Sequence, residues 1–257
     1  MKKIKLSASI VTYNNENEIR GVLDSLISSS ISDFIEIYVV DNCSTDKTVE
    51  IINNEYDNIC FIQSEKNLGF GNGHNVAIRL INTKYHFIVN PDVKFDNLLI
   101  ENLVEYLEEN KDVALCIPNV LDEDKKLRYP PKKNPKIRYL LGRYLESYGH
   151  IFRKWTSEYV MKDVSISEPI EIEFCSGGFM AVRTEILKKV NGFDSRFFLY
   201  FEDADITRRI RKYGKIICNP HFSIIHEGKR ESHKSWKGLI MMLSSMVKYF
   251  NKWGWDF

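Results

Sequence analysis

Four groups of side chains in this 257-residue chain have the types and spacing to do chemistry. The first is Asn90-Pro91-Asp92, directly after the apolar run Phe87-Ile88-Val89. Proline lacks the ladder N–H, so a strand ending here stops at Asn90, and the residue before a proline is held extended. Asn90 and Asp92 then lean the same way, an amide oxygen beside a carboxylate, which suits a hard divalent cation bridging phosphates. An Asn-Pro-Asp turn without chemistry reads equally well. The second group is Asp41 at the end of another apolar run, with Thr12 and Tyr13 ending a third. An acid there accepts a hydrogen bond from a pyrimidine imide or a ribose hydroxyl, or caps a helix. The third is Glu202-Asp203-Ala204-Asp205, preceded by Phe198-Leu-Tyr-Phe201. Acids in a first helical turn answer the macrodipole, a purely structural reading, while a carboxylate in so apolar a setting can serve as a general base. Last is His226 at a strand end, either structural or a ligand.

Alternating elements must position these groups. Leu6 to Tyr13 reads as a buried strand, and residues 14–17 turn into a helix burying Ile19, Val22, Leu23, Leu26 and Ile27. A second strand, Glu36 to Val40, delivers Asp41, and Ser44 or Thr45 caps the helix carrying Val49, Ile51 and Ile52. A third strand, Ile59 to Gln63, precedes a glycine-rich segment over 67–75 and a helix through Ile81; the fourth stops at Asn90. A helix over Phe95 to Asn110 with Asp96 as cap, then a strand over Val113 to Ile117, complete an alternation that predicts a mostly parallel α/β sheet flanked by helices. The period breaks after Pro118. Order resumes with a strand over Ile170 to Phe174, a short helix after Thr184 and a basic helix reaching Tyr213 before Gly214. Two short strands, Lys215 to Cys218 and Ser223 to His226, precede a last helix from Trp236 to Lys252.

Lys plus Arg (36) balances Asp plus Glu (35), so no global field points to nucleic acid. Locally the balance fails: Lys125 to Lys154 holds ten Lys or Arg against the single Glu146, which predicts a solvated, mobile excursion rather than a binding site. The five cysteines are odd in number and form no CxxC pair, arguing against a disulfide framework or zinc and for a reducing cytoplasm. No apolar run reaches the roughly 18 to 20 residues of a membrane span, so a soluble or peripheral protein is expected.

The motifs Ile10-Val-Thr-Tyr-Asn-Asn15, Val40-Asp-Asn-Cys-Ser-Thr-Asp46, Asn67-Leu-Gly69 with Asn75, and Asn90-Pro-Asp-Val93 recur in order with Ser176-Gly-Gly-Phe-Met-Ala-Val-Arg183, Gly192-Phe-Asp194, Tyr200-Phe-Glu-Asp-Ala-Asp205 and His226-Glu-Gly228. Together they resemble the family 2 glycosyltransferases of GT-A fold, and within them the rhamnosyltransferase-like branch. The resemblance implies a single domain over 1–257, with 1–118 binding the nucleotide sugar and 119–257, including the last helix, binding the acceptor. It implies inverting transfer from dTDP-rhamnose or a UDP-hexose to a saccharide or lipid-linked saccharide in bacterial surface polysaccharide synthesis. By the same resemblance the donor meets Thr12, Tyr13, Asn14, Glu16, Asp41, Asn67, Gly69, Asn75, Asn90, Asp92, Gly177 and Gly178. Asp92 and His226 hold Mg²⁺ or Mn²⁺, and Asp203 is the general base beside Glu202. Asn90 replaces the first acid of the family's DxD motif, which weakens charge neutralisation of the metal. The QxxRW motif of processive synthases is absent, so addition of one or a few sugars is expected.

Three further readings bear on the same residues. Trp236, Ile240, Leu243, Val247 and Phe250 form one apolar stripe that either packs onto the domain or, with the basic segment, meets the inner face of the cell membrane. Glycines 69, 71 and 73 imitate a dinucleotide fingerprint, but their spacing and place after the third strand do not match it, which disfavours an NAD-dependent oxidoreductase. A catalytically silent nucleotide-binding or scaffold protein of the same fold is separated from an enzyme only by turnover.

Overall fold

One ten-stranded sheet with helices on both faces organises the chain in the computed structural model, which describes residues 5–129, 131–162, 164, 167–226 and 236–257. The first half is the expected alternation: β1 (Leu6–Thr12), α1 (Ile19–Ile27), β2 (Ile35–Asp41), α2 (Thr48–Glu55), β3 (Cys60–Gln63), α3 (Phe70–Ile78) and β4 (Tyr85–Val89). Its strands lie parallel in the order β3-β2-β1-β4. Every residue of β1 and β4 is buried, because helices cover both faces and remove the alternation of a one-sided sheet. Parallel pairing sends Thr12, Asp41 and Val89 to one edge of the sheet.

The second half comprises β5 (Val93–Lys94), α4 (Leu99–Glu109), β6 (Val113–Leu121), β7 (Leu127–Tyr129), α5 (Ile137–Leu145), α6 (His150–Tyr159), β8 (Ile170–Glu171), β9 (Phe179–Arg183), α7 (Thr184–Lys189), α8 (Glu202–Ile210), β10 (Lys215–His226) and α9 (Trp236–Trp253). Sequence periodicity misses β9, the strand that joins the halves. It runs antiparallel between β4 and β6, and passes into α7 with no turn residue to announce it. Arg183 closes it: the guanidinium donates to the carbonyls of Val113 (2.7 Å), Leu107 (2.5 Å) and Asn110 (3.0 Å). The carbonyl end of α4 thereby receives a cation.

Local punctuation differs from the sequence reading in several places. Neither Ser44 nor Thr45 caps α2; Asp46 Oδ1 accepts the Thr48 N–H at 3.0 Å instead, while Ser44 turns to Asp41. The glycine-rich segment is mostly the start of α3, which begins at Phe70 and ends at Ile78. Asp96 accepts the Leu98 N–H at 2.9 Å, just ahead of α4 rather than at its cap. The two short strands after Gly214 are one strand, β10, with irregular register between Asn219 and Ser223. The Lys125 to Lys154 stretch is not an excursion, since it contains β7, α5 and the first half of α6. Its apolar residues order it: Tyr139 stacks on Tyr159, and Ile137 and Leu140 pack with Phe174, Phe197, Tyr249 and Phe250 in a small core separate from the two main ones.

Candidate active site

A cavity of about 410 Å³ opens where β4, β9, β10 and the amino end of α8 converge. Long-range register builds it. Val89 pairs with Phe179, and the Asn90 N–H donates to Gly178 O at 2.9 Å, so Asn90 meets the Gly177-Gly178 turn. Val93 pairs with His226, which sets Asp92 beside the imidazole. Asn90 Nδ2 lies 3.3 Å and Asp92 Oδ1 3.4 Å from His226 Nε2. Asn90 Oδ1 and Asp92 Oδ1 are buried with no hydrogen-bond partner, an expensive condition unless something cationic satisfies them. Burial pushes the His226 pKa down against the pull of Asp92, leaving a neutral ring able to donate a lone pair. Amide oxygen, carboxylate and imidazole therefore fit Mg²⁺ or Mn²⁺. No group of three or more His, Cys, Asp or Glu able to hold a metal occurs among the described residues, so a cation here would depend on donor phosphates for further ligands.

Across the cavity stands the acidic pair. Tyr200 (φ 70°) and Phe201 (φ 64°) both adopt left-handed backbone, a costly sequence for non-glycine residues that persists only where its surroundings enforce it. Here Phe70 N–H and Ser245 Oγ hold the carbonyls of Phe198 (3.1 Å) and Leu199 (2.8 Å). Gly69, itself at φ 81°, allows this contact: a Cβ there would stand 2.1 Å from Phe198 O. The turn delivers Glu202 and Asp203 into the cavity lining. Asp203 receives N–H groups from Ala204 (2.8 Å) and Gly177 (3.3 Å), whereas Glu202 Oε2 is buried without a partner. Burial raises both pKa values; Asp203 raises Glu202 further, while Lys132 and the two N–H groups restrain Asp203. The two acids titrate as a pair, in which Lys132 and the N–H donors favour the charged form at Asp203 and burial beside a second carboxylate favours the neutral form at Glu202. Asp205 points elsewhere, fully buried among Arg209 (2.8 Å), Lys252 (2.5 Å) and Trp253 Nε1 (2.9 Å).

The nucleotide-side residues are brought together more loosely. Asp41 is fully buried, accepting from Thr12 Oγ1 and the Ser44 N–H, each at 2.9 Å, and from the Ser44 hydroxyl. It organises the loop after β2. Asn14 Oδ1 accepts the Thr45 N–H (2.8 Å) and Glu16 Oε2 the Lys47 N–H (2.9 Å), lacing that loop to the one after β1. Tyr13, half exposed, presents its ring at the same edge. Asn67 Oδ1 holds the Gly69 N–H at 2.8 Å. Asn75 is not brought to the cavity: its amide bridges the Phe193 backbone with two 2.8 Å bonds. Gly71 and Gly73 serve helix packing rather than a ligand, since a Cβ on either would meet Phe193 or Val11 within 2.8 Å. Sequence reasoning singled out neither Lys132 nor Arg143, which line the cavity; the basic segment containing both was the available signal.

Known proteins resemble the chain over most of its length. Residues 7–190 match the model of Glycosyl transferase family 2, and residues 163–234 that of the N-terminal domain of galactosyltransferase. The rhamnosyltransferase WbbL of Escherichia coli is 27% identical over 252 residues, 93% of this chain and 90% of that protein. An N-acetylglucosaminyl-diphospho-decaprenol L-rhamnosyltransferase of Mycobacterium tuberculosis is 25% identical over 84% of this chain and 74% of its own length. Among solved structures, GalNAc-T7 with UDP, GalNAc and Mn²⁺ superposes with a TM-score of 0.68 at 14% identity, over 96% of this chain and 48% of that one. Staphylococcus aureus TarS superposes at 0.66 and 19% identity, this chain spanning 40% of its length. These likenesses are of fold, and the fold is GT-A.

Proposed function

The chain belongs to glycosyl transferase family 2, in its rhamnosyltransferase-like part, and from that membership we propose an inverting transfer of a hexosyl unit, rhamnose from dTDP-rhamnose before a hexose from a UDP-sugar. The acceptor is a saccharide or lipid-linked saccharide, in surface-glycan assembly at the cytoplasmic side of the membrane. One observation carries this reading: the orphaned oxygens of Asn90 and Asp92 beside His226 share a single cavity with the Glu202–Asp203 pair.

Residues of 1–118 serve the donor. Tyr13 stacks on the base, Asp41 and Thr12 shape the loop that receives it, and Asn90 and Asp92 lie at the diphosphate. Residues of 119–257 serve the acceptor, with Lys132 and Arg143 suited to an anionic one. A divalent cation held by Asn90, Asp92 and His226 supplies charge stabilisation to the leaving nucleotide when bound. Asp203 takes the acceptor hydroxyl proton as that oxygen attacks the anomeric carbon and the bond to the diphosphate breaks. Protonated Glu202 orients the acceptor by hydrogen bonding. The test is a panel of nucleotide sugars with Mg²⁺ or Mn²⁺, reading donor hydrolysis and thermal protection. A ligand at about 100 times its dissociation constant adds roughly 2.7 kcal/mol. Turnover of a UDP-sugar with no response to dTDP-rhamnose would overturn the donor assignment, and no turnover with any donor would favour a silent nucleotide-binding protein.

A further inference from the structure

The apolar stripe of α9 divides in the folded chain. Phe250 is buried beside Tyr249, whereas Trp236, Ile240, Leu243 and Val247, with Leu239, remain exposed, Trp236 to 81%. The helix docks through its last turns, where Tyr249, Phe250 and Trp253 join the small core, and the apolar side of its first three turns is exposed among the described residues. Beside it lies α5, whose Tyr144 hydroxyl reaches Met242 Sδ at 3.5 Å and whose Leu141 and Tyr144 are exposed. Leu140 and Arg143 of α5 and Met242 of α9 also line the catalytic cavity, so this surface continues into the cavity mouth.

Its charge has one sign. Between them α5 and α9 carry Arg138, Arg143, Lys237, Lys248 and Lys252 and not one Asp or Glu. Arg138 is spent on Glu158, Lys252 on Asp194 and Asp205, and Lys248 on the Arg196 carbonyl. Arg143 and Lys237 enter no ion pair among the described residues. A face of Trp, Tyr, Leu and Ile flanked by cations matches the interface of an anionic bilayer, where the rings sit at headgroup level and the aliphatic groups reach the acyl boundary. No helix among the described residues is long and apolar enough to cross a membrane, so such a helix lies on the surface. From the apolar rows, the one-signed charge and the continuity with the cavity, we infer that the exposed sides of α5 and α9 dock on an anionic lipid surface and point the cavity mouth at the bilayer. A lipid-linked acceptor, one of the two proposed above, would then be met where it emerges; the docking surface rests on that reading only for its purpose.

Sedimentation with vesicles of phosphatidylcholine, alone or with phosphatidylglycerol, tests this without donor or acceptor, so its outcome is independent of turnover. The protein is expected to bind the phosphatidylglycerol vesicles, weakly the neutral ones, and to be released by high salt. Ile240→Glu/Leu243→Glu is expected to abolish binding, and Lys237→Gln to weaken it about five-fold. Donor hydrolysis and thermal unfolding, read on the same variants, should be unchanged, because these side chains are exposed and outside the cavity lining. Equal binding to both vesicle types, no binding, or undiminished binding by the double variant would each overturn the proposal. So would a dimer seen by light scattering and lost in the double variant, which would assign this face to a second copy of the chain.

Discussion

Asp203 and Glu202 adjoin in sequence, yet the cavity treats them differently. Asp203 has two N–H donors and Lys132 nearby; Glu202 has burial and a neighbouring carboxylate. Asp203→Asn is therefore expected to lower kcat by roughly 10²- to 10⁴-fold with donor affinity little changed, while Glu202→Gln, an uncharged mimic of the protonated acid, stays within about ten-fold. Steady-state kinetics beside donor titration decide it, and the reverse ranking would move the base to Glu202. The pH profile carries a sign as well. A base must be deprotonated, so kcat/KM should rise with pH through the pKa of Asp203, which burial places above the ordinary aspartate value of about 3.9. The proposed metal donors are tested separately: excess EDTA and Asp92→Ala should each stop turnover, and His226→Ala should raise the Mn²⁺ concentration needed for half-maximal rate. Full activity in EDTA would remove the cation from the proposed function.

At the scale of elements, the site depends on two joints. The strained turn before α8 sets the acids, and Asp205 ties α8 to α9 through Arg209, Lys252 and Trp253. Sequence placed three acids in one helical turn; only packing separates the two that reach the cavity from the one that braces a helix. Removing one partner from a buried ion pair leaves charge uncompensated, so Asp205→Ala is expected to destabilise the fold by roughly 3 kcal/mol, measured as a lower denaturant midpoint at unchanged slope. A neutral result would mean that α9 is held by its aromatic contacts alone. The other joint is β9, whose reversed direction carries the Gly177-Gly178 turn to the edge where β4 ends.

At the scale of the whole molecule, a buried polar chain lies along one face of the sheet and reaches α3. Ser7 and Ser9 bracket His86 at 2.8 Å on each ring nitrogen, and Ser9 also reaches His74 Nδ1 at 2.7 Å. Burial pushes the His86 pKa down to about 3 and that of His74 well below its usual value. The unfolded chain protonates these rings near pH 6.5 and the folded one does not, so their cost is absent above that pH. As pH falls below it, stability should drop by about 1.4 kcal/mol per unit for each ring. Denaturant midpoints at several pH values between 7.5 and 5 check this, and His86→Gln should flatten the slope. Much of the site could be read from the chain itself. The Asn90-Pro-Asp92 stop, the strand ends bearing Thr12 and Asp41, and the acids opening α8 all follow from proline chemistry, apolar periodicity and helix-terminus electrostatics, which act within a dozen residues. Tertiary structure alone decided the rest: the insertion of β9, the approach of His226 to Asp92 through the Val93 pairing, the withdrawal of Asp205 and Asn75 from the cavity, and the exposure of the first turns of α9. Each is a pairing or packing choice between segments tens of residues apart, and no local propensity records which partner a buried strand or an apolar stripe will find.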